Sequence, residues 1–105
     1  MKILLLLALF AQAERVNPLA SRPDALPGGA KLFKQKCAMC HGEDGRGTSK
    51  APDLSRDELQ ALSDGELFQK ITGGNVRRDM PSFSNIPELQ RWQLVLKLRS
   101  LVKAH

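Results

Sequence analysis

The sequence predicts an all-α domain of about four helices, and three features support this fold class. Apolar residues recur at three- and four-residue spacing in several segments, which is the period of one face of a helix. Two Ser-x-x-Glu sequences, beginning at Ser55 and Ser63, match the capping box that opens a helix. No segment has the alternating or β-branched pattern of a strand. We therefore expect helices and no sheet, without internal repeats.

The predicted helices are separated by short loops. The first places Leu32, Phe33, Cys37 and Cys40 on one face, and a glycine-rich loop follows it. The third ends at a pair of glycines, which suits a helix terminus. Cations lie near the end of the last helix, where they favour the helix dipole. The predicted spans are about 29–40, 55–62, 63–74 and 85–102.

Residues 1–13 have the layout of a secretory signal peptide. Lys2 gives a positive start, residues 3–10 are apolar, and Ala11-Gln12-Ala13 forms a small-residue cleavage site. An apolar run of about eleven residues is too short for a bilayer, which requires about 20. We expect cleavage after Ala13, a periplasmic or otherwise extracytoplasmic location, and a mature chain that does not span the membrane.

The rest of the chain divides at residue 28. Residues 14–28 are interpreted as a flexible tether, because Pro18, Pro23 and Pro27 interrupt any helix. Residues 29–105 then form the domain, which leaves about 77 residues for a core, and cores of this size usually require a metal, a disulfide or another cross-link. The two cysteines are the candidates for that role.

Charge gives no indication of a nucleic-acid partner. The formal net charge is +5, the basic residues are scattered, and tyrosine is absent. A nucleic-acid-binding domain would usually show a basic stripe with aromatic or base-reading residues. We expect no nucleic-acid partner.

The cysteines lie in the sequence Cys37-Ala38-Met39-Cys40-His41. A Cys-x-x-Cys-His sequence is typical of covalent attachment of a c-type haem. Two intervening residues place the sulfurs about one helical turn apart, so each thiol can add to one porphyrin vinyl group. His41 follows at once and can present its imidazole to the iron. One covalent haem c (heme c) with its iron is the predicted cofactor.

Three other interpretations of the cysteines have less support. A thioredoxin-like redox pair also uses Cys-x-x-Cys, but within a β-α-β pattern that this chain lacks. A zinc site requires four ligands, and only His105 remains as a further strong ligand. A structural disulfide is possible in an exported protein, although so short a loop contributes little stabilisation.

The second axial position of the iron has three candidates in the mature chain. Met39 lies between the two cysteines on the proximal side, and His105 is the last residue. Met80 precedes Pro81 and follows a glycine-containing stretch, so a loop can present its sulfur. Met80 is therefore the predicted distal ligand. On the proximal side Pro52 is the candidate to accept a hydrogen bond from His41, although from sequence alone any carbonyl could serve.

Residues 28–103 resemble the class I monohaem cytochrome c family, nearest its small soluble c6/c553-like branch. The resemblance is carried by four motifs in order, which are Gly29-xxx-Phe33-xxx-Cys37-Ala38-Met39-Cys40-His41-Gly42, Ala51-Pro52-Asp53-Leu54, Met80-Pro81-Ser82-Phe83 and Trp92-Gln93-Leu94-Val95. It implies a cytochrome c-like fold with about four helices wrapped around one covalent haem.

The resemblance also implies roles for several residues. Gly29 and Phe33 would pack against the last helix near Leu94, the Pro52 carbonyl would bind the proximal histidine, and Met80 would be the distal ligand. The chain departs from the family at Lys97, where relatives often carry an aromatic residue. Either Trp92 or the lysine stem would then fill the helix crossing.

The predicted function is extracytoplasmic one-electron transfer between redox partners of a respiratory or photosynthetic chain, and not enzymatic catalysis. Histidine and methionine together leave no open position at the iron, and the thioether raises the reduction potential. A dedicated electron-acceptor subunit of a dehydrogenase or oxidase is the alternative, and a peroxidase or ligand sensor with an open iron is a further one. We expect a monomer that meets its partners at the exposed haem edge, where six cations cluster in sequence near the haem ligands: Lys34, Lys36, Arg46, Lys50, Arg77 and Arg78.

Overall fold

The computed structural model describes residues 15–102. The predicted signal peptide and His105 lie outside the described residues. In the described part the chain is helical and has no strand, and one isolated bridge joins Asn75 and Met80. The predicted all-α class is confirmed.

Five α-helices and two 3-10 turns make up residues 15–102. The helices are α1 (Leu26–Lys36), α2 (Ala38–His41), α3 (Asp57–Gln60), α4 (Asp64–Gly73) and α5 (Glu88–Arg99). The 3-10 turns are Pro23–Ala25 and Val76–Arg78.

The first predicted helix is two helices in the structure. The backbone of Cys37 leaves regular helical geometry at φ −119°, so α2 is a separate turn. Within this turn the amide of His41 donates to the Cys37 carbonyl oxygen at 3.0 Å. The structure also starts α1 at Leu26 rather than near Gly29. Pro27 lies in the first turn of α1, where its missing N–H costs nothing.

Only one of the two predicted capping boxes is present. Ser63 accepts from the amide of Glu66, and the Glu66 carboxylate accepts from the Ser63 amide, so that box is confirmed. The box at Ser55 is wrong, because α3 begins after Arg56 without a side-chain cap and the Ser55 hydroxyl donates to Asp53. The last helix ends at Arg99, three residues earlier than the predicted end.

The core forms where α1 crosses α5 and α4 packs beside them. Phe33, Leu67, Trp92, Leu94 and Val95 are at most 2% exposed. The rings of Phe68 and Trp92 stack with centroids 4.0 Å apart. The stacked rings join α4 to α5, and Phe33 contributes α1 to the same core.

The structure shows what occupies the helix crossing at Lys97, where relatives often carry an aromatic residue. The Lys97 ammonium nitrogen lies 5.7 Å from the centroid of the Phe33 ring. The stem of Lys97 is half-buried beside the crossing at Gly29. A lysine stem with a cation–π contact therefore occupies this part of the crossing.

The segment interpreted as a flexible tether is partly ordered against the domain. Asn17 is 2% exposed, and its side-chain amide donates to the Trp92 carbonyl oxygen at 3.1 Å. Residues 26–28 belong to α1. A free tether would make no such contacts, so these residues differ from the expectation, while the division into domains otherwise stays a prediction.

Candidate haem-attachment site

Cys37 is the N-cap residue of the short helix α2, and Cys40 lies within that helix. Both are free thiols and half-buried. The amide of Cys37 donates to the Phe33 carbonyl oxygen at 2.8 Å, which connects the site directly to the core. Burial, with a smaller effect from Cys40, raises the pKa of the Cys37 thiol to about 11. The Cys37 thiol therefore lies in an environment that disfavours its charged form.

His41 ends α2 and is oriented by the chain that follows it. Its Nδ1 atom lies 3.0 Å from the Pro52 carbonyl oxygen. A carbonyl oxygen only accepts, so this contact requires the hydrogen on Nδ1. The lone pair of Nε2 is then free to bind a metal.

The loop between His41 and Pro52 is held closed by backbone hydrogen bonds. The Gly47 amide donates to the His41 carbonyl oxygen at 2.8 Å, and the Leu54 amide donates to the Gly45 carbonyl oxygen at 2.7 Å. Gly47 has φ +93°, and an added Cβ atom there would lie 2.9 Å from the carbonyl carbon of Pro52. Glycine at this position lets the Pro52 carbonyl come close to the His41 ring.

A second device holds the chain just after Pro52. One carboxylate oxygen of Asp53 accepts from the Ser55 amide at 2.8 Å and from the Ser55 hydroxyl at 2.6 Å. Ser55 is 3% exposed, so these bonds are shielded from water. The sequence reasoning missed this role, and the only signal was an Asp-x-Ser spacing that is common in turns.

Met80 lies in a tight turn between α4 and α5. Its amide donates to the Asn75 carbonyl oxygen and its carbonyl oxygen accepts from the Asn75 amide, both at 2.9 Å. Asp79 has φ +60°, the left-handed conformation that completes the turn. Met80 is half-buried, whereas Met39 is 82% exposed. The two methionines therefore occupy different environments.

The side chains present suit a covalently bound haem. The two thiols of Cys37 and Cys40 could bind the porphyrin, and the His41 imidazole, with Nδ1 engaged, and the Met80 sulfur are of the N and S types that bind haem iron. Within residues 15–102 no group of three or more His, Cys, Asp or Glu residues lies together as a metal cluster. A zinc centre made of four protein ligands has no candidate in that range.

A Cys-x-x-Cys-His turn in an all-α fold, with the histidine bound to a following proline carbonyl, defines a c-type cytochrome domain. The family described as "Cytochrome C oxidase, cbb3-type, subunit III" matches residues 24–96. The chain belongs to this family. It is a small monohaem cytochrome c that carries covalent haem c and transfers electrons.

Three curated relatives are similar over part of their length. The chain is 41% identical over 65 residues to the cbb3-type cytochrome c oxidase subunit CcoP of Rubrivivax gelatinosus, covering 61% of the chain and 21% of the relative. It is 31% identical over 77 residues to the cbb3-type oxidase subunit FixPc of Rhizobium leguminosarum bv. viciae, covering 73% of the chain and 27% of the relative. It is 34% identical over 61 residues to cytochrome c550 of Pseudomonas aeruginosa, covering 58% of the chain and 42% of the relative. The chain thus spans between 21% and 42% of the length of these relatives.

A solved structure named KustC0563 c-type cytochrome has the same fold. Its TM-score is 0.64 at 31% identity, and the match covers 71% of this chain and 98% of that one. The near-complete coverage agrees with a single cytochrome domain in the matched region. Among residues 15–102, no helix has the length and apolar character needed to cross a membrane.

Proposed function

We propose that this domain is an extracytoplasmic one-electron carrier whose iron is closed by His41 and Met80. Cys37 and Cys40 would bind the haem through two thioethers. The single observation that carries the proposal is the contact between His41 Nδ1 and the Pro52 carbonyl oxygen. That contact fixes the tautomer and leaves Nε2 as the ligand atom.

The protein's contribution is to hold both ligands still while the electron moves. Bound haem supplies a site that gains and loses one electron. The closed loop 41–54 restrains His41, and the paired backbone hydrogen bonds of Asn75 and Met80 restrain the backbone from which the thioether extends. Rigid ligands favour electron transfer because little has to rearrange when the charge changes by one. A filled sixth position also argues for a carrier rather than an enzyme.

The partners we propose are redox proteins with an acidic docking face. The six cations named above, from Lys34 to Arg78, are exposed. In the described part of the chain only Arg46 among them forms an ion pair, with Asp44 at 4.0 Å. Uncompensated cations near the haem ligands would steer an acidic partner to the haem edge. We expect the mature domain to act as a monomer.

A second candidate is a dedicated electron-transfer subunit of a larger oxidase. Two of the relatives are named as subunits of cbb3-type cytochrome c oxidases, and the chain spans about a fifth to a quarter of their length. Affinity purification from native membranes separates the two. A stable complex with oxidase subunits would favour the subunit role, and recovery of the protein alone from the soluble extracytoplasmic fraction would favour the diffusible carrier.

The decisive experiment is spectroscopy of the full chain produced with the haem maturation machinery. We expect a pyridine haemochrome of c type, a thioether-to-iron band in the oxidised protein, and no carbon monoxide binding to the reduced protein. Met80→Ala should remove the band and open the iron to carbon monoxide, while the matched control Met39→Ala should change neither. A colourless purified chain would overturn haem attachment, and carbon monoxide binding by the wild type would favour the sensor or peroxidase.

A further inference from the structure

One guanidinium holds both ends of the segment that carries Met80, residues 72–86. Arg91 of α5 donates from Nη1 to the Thr72 hydroxyl at 2.8 Å and from Nε to the Ile86 carbonyl oxygen at 3.0 Å. Its guanidinium carbon lies 4.9 Å from the centroid of the Phe68 ring, so the group is fixed against the core as well. The arginine closes the base of the segment.

The Thr72 end of this base is connected to the residues just after Met80. The Thr72 hydroxyl donates to the Phe68 carbonyl oxygen at 2.8 Å and is thereby oriented to accept from Arg91. The carbonyl oxygen of Thr72 accepts from the Ser82 hydroxyl at 2.6 Å, and the Phe83 amide donates to the Ile71 carbonyl oxygen at 3.1 Å. The chain leaving Met80 is thus tied to the turn that Arg91 holds.

The Met80 turn is closed on itself by backbone hydrogen bonds. The two backbone hydrogen bonds between Asn75 and Met80 fix its internal shape. Its position relative to the domain then depends on the attachments at Thr72 and at residues 82–86. Hydrogen bonds from a charged donor are about twice as strong as neutral ones, so Arg91 contributes a large share of that attachment.

We propose that Arg91 is a positioning residue for Met80 and sets how firmly the methionine sulfur is held at the iron. This inference rests on the proposed ligation by Met80. Arg91 acts through Thr72 and Ile86 rather than by contact with the site. When the attachment is weakened, the form with Met80 displaced is more populated, and an external ligand that binds this form gains apparent affinity in proportion.

The test is an imidazole titration of the haem-loaded oxidised protein. We expect Arg91→Gln to raise the apparent affinity for imidazole by roughly tenfold, the effect of losing charge-assisted hydrogen bonds. Arg91→Lys keeps the charge but cannot reach both ends, so it should give an intermediate increase. Thr72→Val removes one hydrogen-bond acceptor of Arg91, so it should also raise the apparent affinity for imidazole.

The matched control is Arg99→Gln on the same helix. Arg99 donates to Asp64 at 2.7 Å and to the carbonyl oxygens of Gln60 and Leu62, so its hydrogen bonds hold α3 and α4 and not residues 72–86. The Arg99→Gln substitution should lower the stability of the protein in urea without changing its affinity for imidazole.

Each result decides the matter. If Arg91→Gln and Arg99→Gln change imidazole affinity equally, or if Thr72→Val leaves it unchanged, the positioning role is wrong even though ligation stands. Should Arg91→Gln fail to fold with haem, Thr72→Val decides alone. If the wild type lacks the thioether-to-iron band, ligation by Met80 is wrong and the positioning role falls with it.

Discussion

Gly29 of α1 lies directly against the backbone carbonyl of Gln93 in α5. A Cβ atom added at Gly29 would lie 2.1 Å from the Gln93 oxygen and 2.9 Å from its carbonyl carbon. The neighbour is backbone inside a helix and cannot swing aside. The glycine therefore sets the distance at which the first and last helices cross.

Gly29→Ala should destabilise the haem-loaded domain by about 3 kcal/mol, because the methyl group forces the two helices apart over a buried contact. Urea unfolding measures the loss. Gly73→Ala is the matched control, since no atom lies within 4 Å of an added Cβ there. Alanine has the higher helix propensity, so the control should be stabilised by about 0.5 kcal/mol. Equal stability of both variants would contradict the close crossing.

Gly47→Ala should raise the reduction potential. The added Cβ would lie 2.7 Å from the Asp53 amide nitrogen and 2.9 Å from the Pro52 carbonyl carbon, so the Pro52 carbonyl must move away from His41. A weaker hydrogen bond from Nδ1 makes the His41 imidazole a poorer electron donor to the iron, and the oxidised iron is then stabilised less. A change of about 1 kcal/mol corresponds to roughly 40 mV for one electron. Voltammetry measures the shift.

Gly45→Ala is the control for this shift. Gly45 lies in the same loop and also has positive φ, but its added Cβ would meet the Leu101 side chain, 2.6 Å away. Stability should fall while the potential stays near the wild-type value. An equal shift in both variants would mean that general loosening of the loop, rather than the Pro52 contact, sets the potential.

Local patterns in the sequence were sufficient for the haem motif, the helical class and the Ser63 cap, because each depends on residues within one or two turns. The same kind of pattern failed at Ser55. The Ser55 hydroxyl donates to the Asp53 carboxylate in the turn that supports Pro52. A capping box cannot form when this hydroxyl is engaged elsewhere. Both serines begin a Ser-x-x-Glu sequence, but the residue two positions earlier is Asp53 for Ser55 and Ala61 for Ser63, so only Ser55 has a competing acceptor there.

Long-range contacts explain the other differences. Asn17 lies in a proline-rich stretch without apolar period, and nothing local indicates that it binds the Trp92 carbonyl, 75 residues away. Arg91 is one of three basic residues on the last helix, and nothing local indicates that it joins Thr72 to Ile86. Such roles depend on which helices meet, and this is decided by the whole core.

The Ser63 cap predicts both a mutational cost and an acid dependence. Ser63→Ala should destabilise the domain by about 1 kcal/mol. Hydrogen bonds from the Ser63 backbone and side chain lower the pKa of Glu66 below its usual 4.5. A carboxylate with a lowered folded pKa stabilises the fold above pH 4.5, and this contribution is lost as the pH falls through the folded value. Unfolding midpoints from pH 6 to pH 3 measure it.

Glu66→Gln separates the charge from the hydrogen bond. The amide oxygen still accepts from the Ser63 amide, but it does not titrate in this range. Stability of the variant should therefore depend less steeply on pH below 4.5 than that of the wild type. An unchanged slope would show that Glu66 does not contribute to acid unfolding.

Asn17→Ala should destabilise the domain by about 2 kcal/mol. The side chain donates to the Trp92 carbonyl oxygen, and its oxygen accepts from the Leu19 amide at 2.8 Å, so truncation breaks two shielded hydrogen bonds. Val16→Ala is the neighbouring control, because Val16 is 80% exposed and its loss should change stability by less than about 0.5 kcal/mol. Thermal unfolding of both variants tests whether this segment belongs to the folded domain; equal stability would restore the tether interpretation.

Arg77 and Arg78 offer the sharpest test of electrostatic steering, because both are exposed in the turn that ends at Met80. Replacing both with glutamate should lower the electron-transfer rate with an acidic redox partner by roughly tenfold at low ionic strength. Stopped-flow measurement over a salt series gives the rates. The wild-type and variant rates should converge near 1 M salt, where the screening length falls to about 3 Å.

Arg22→Glu serves as the control for steering. Arg22 pairs with Asp24 and lies beside Leu96 and Ser100 at the carboxyl end of α5, whereas the Met80 segment attaches at the amino end through Arg91. A charge reversal at Arg22 should change the net charge with a smaller effect on the field at the haem edge than reversal at Arg77 and Arg78. If it slowed the reaction as much per charge as the Arg77 and Arg78 replacements, net charge alone would account for the salt dependence. Wild-type rates that stayed flat or rose with added salt would exclude steering by these cations altogether.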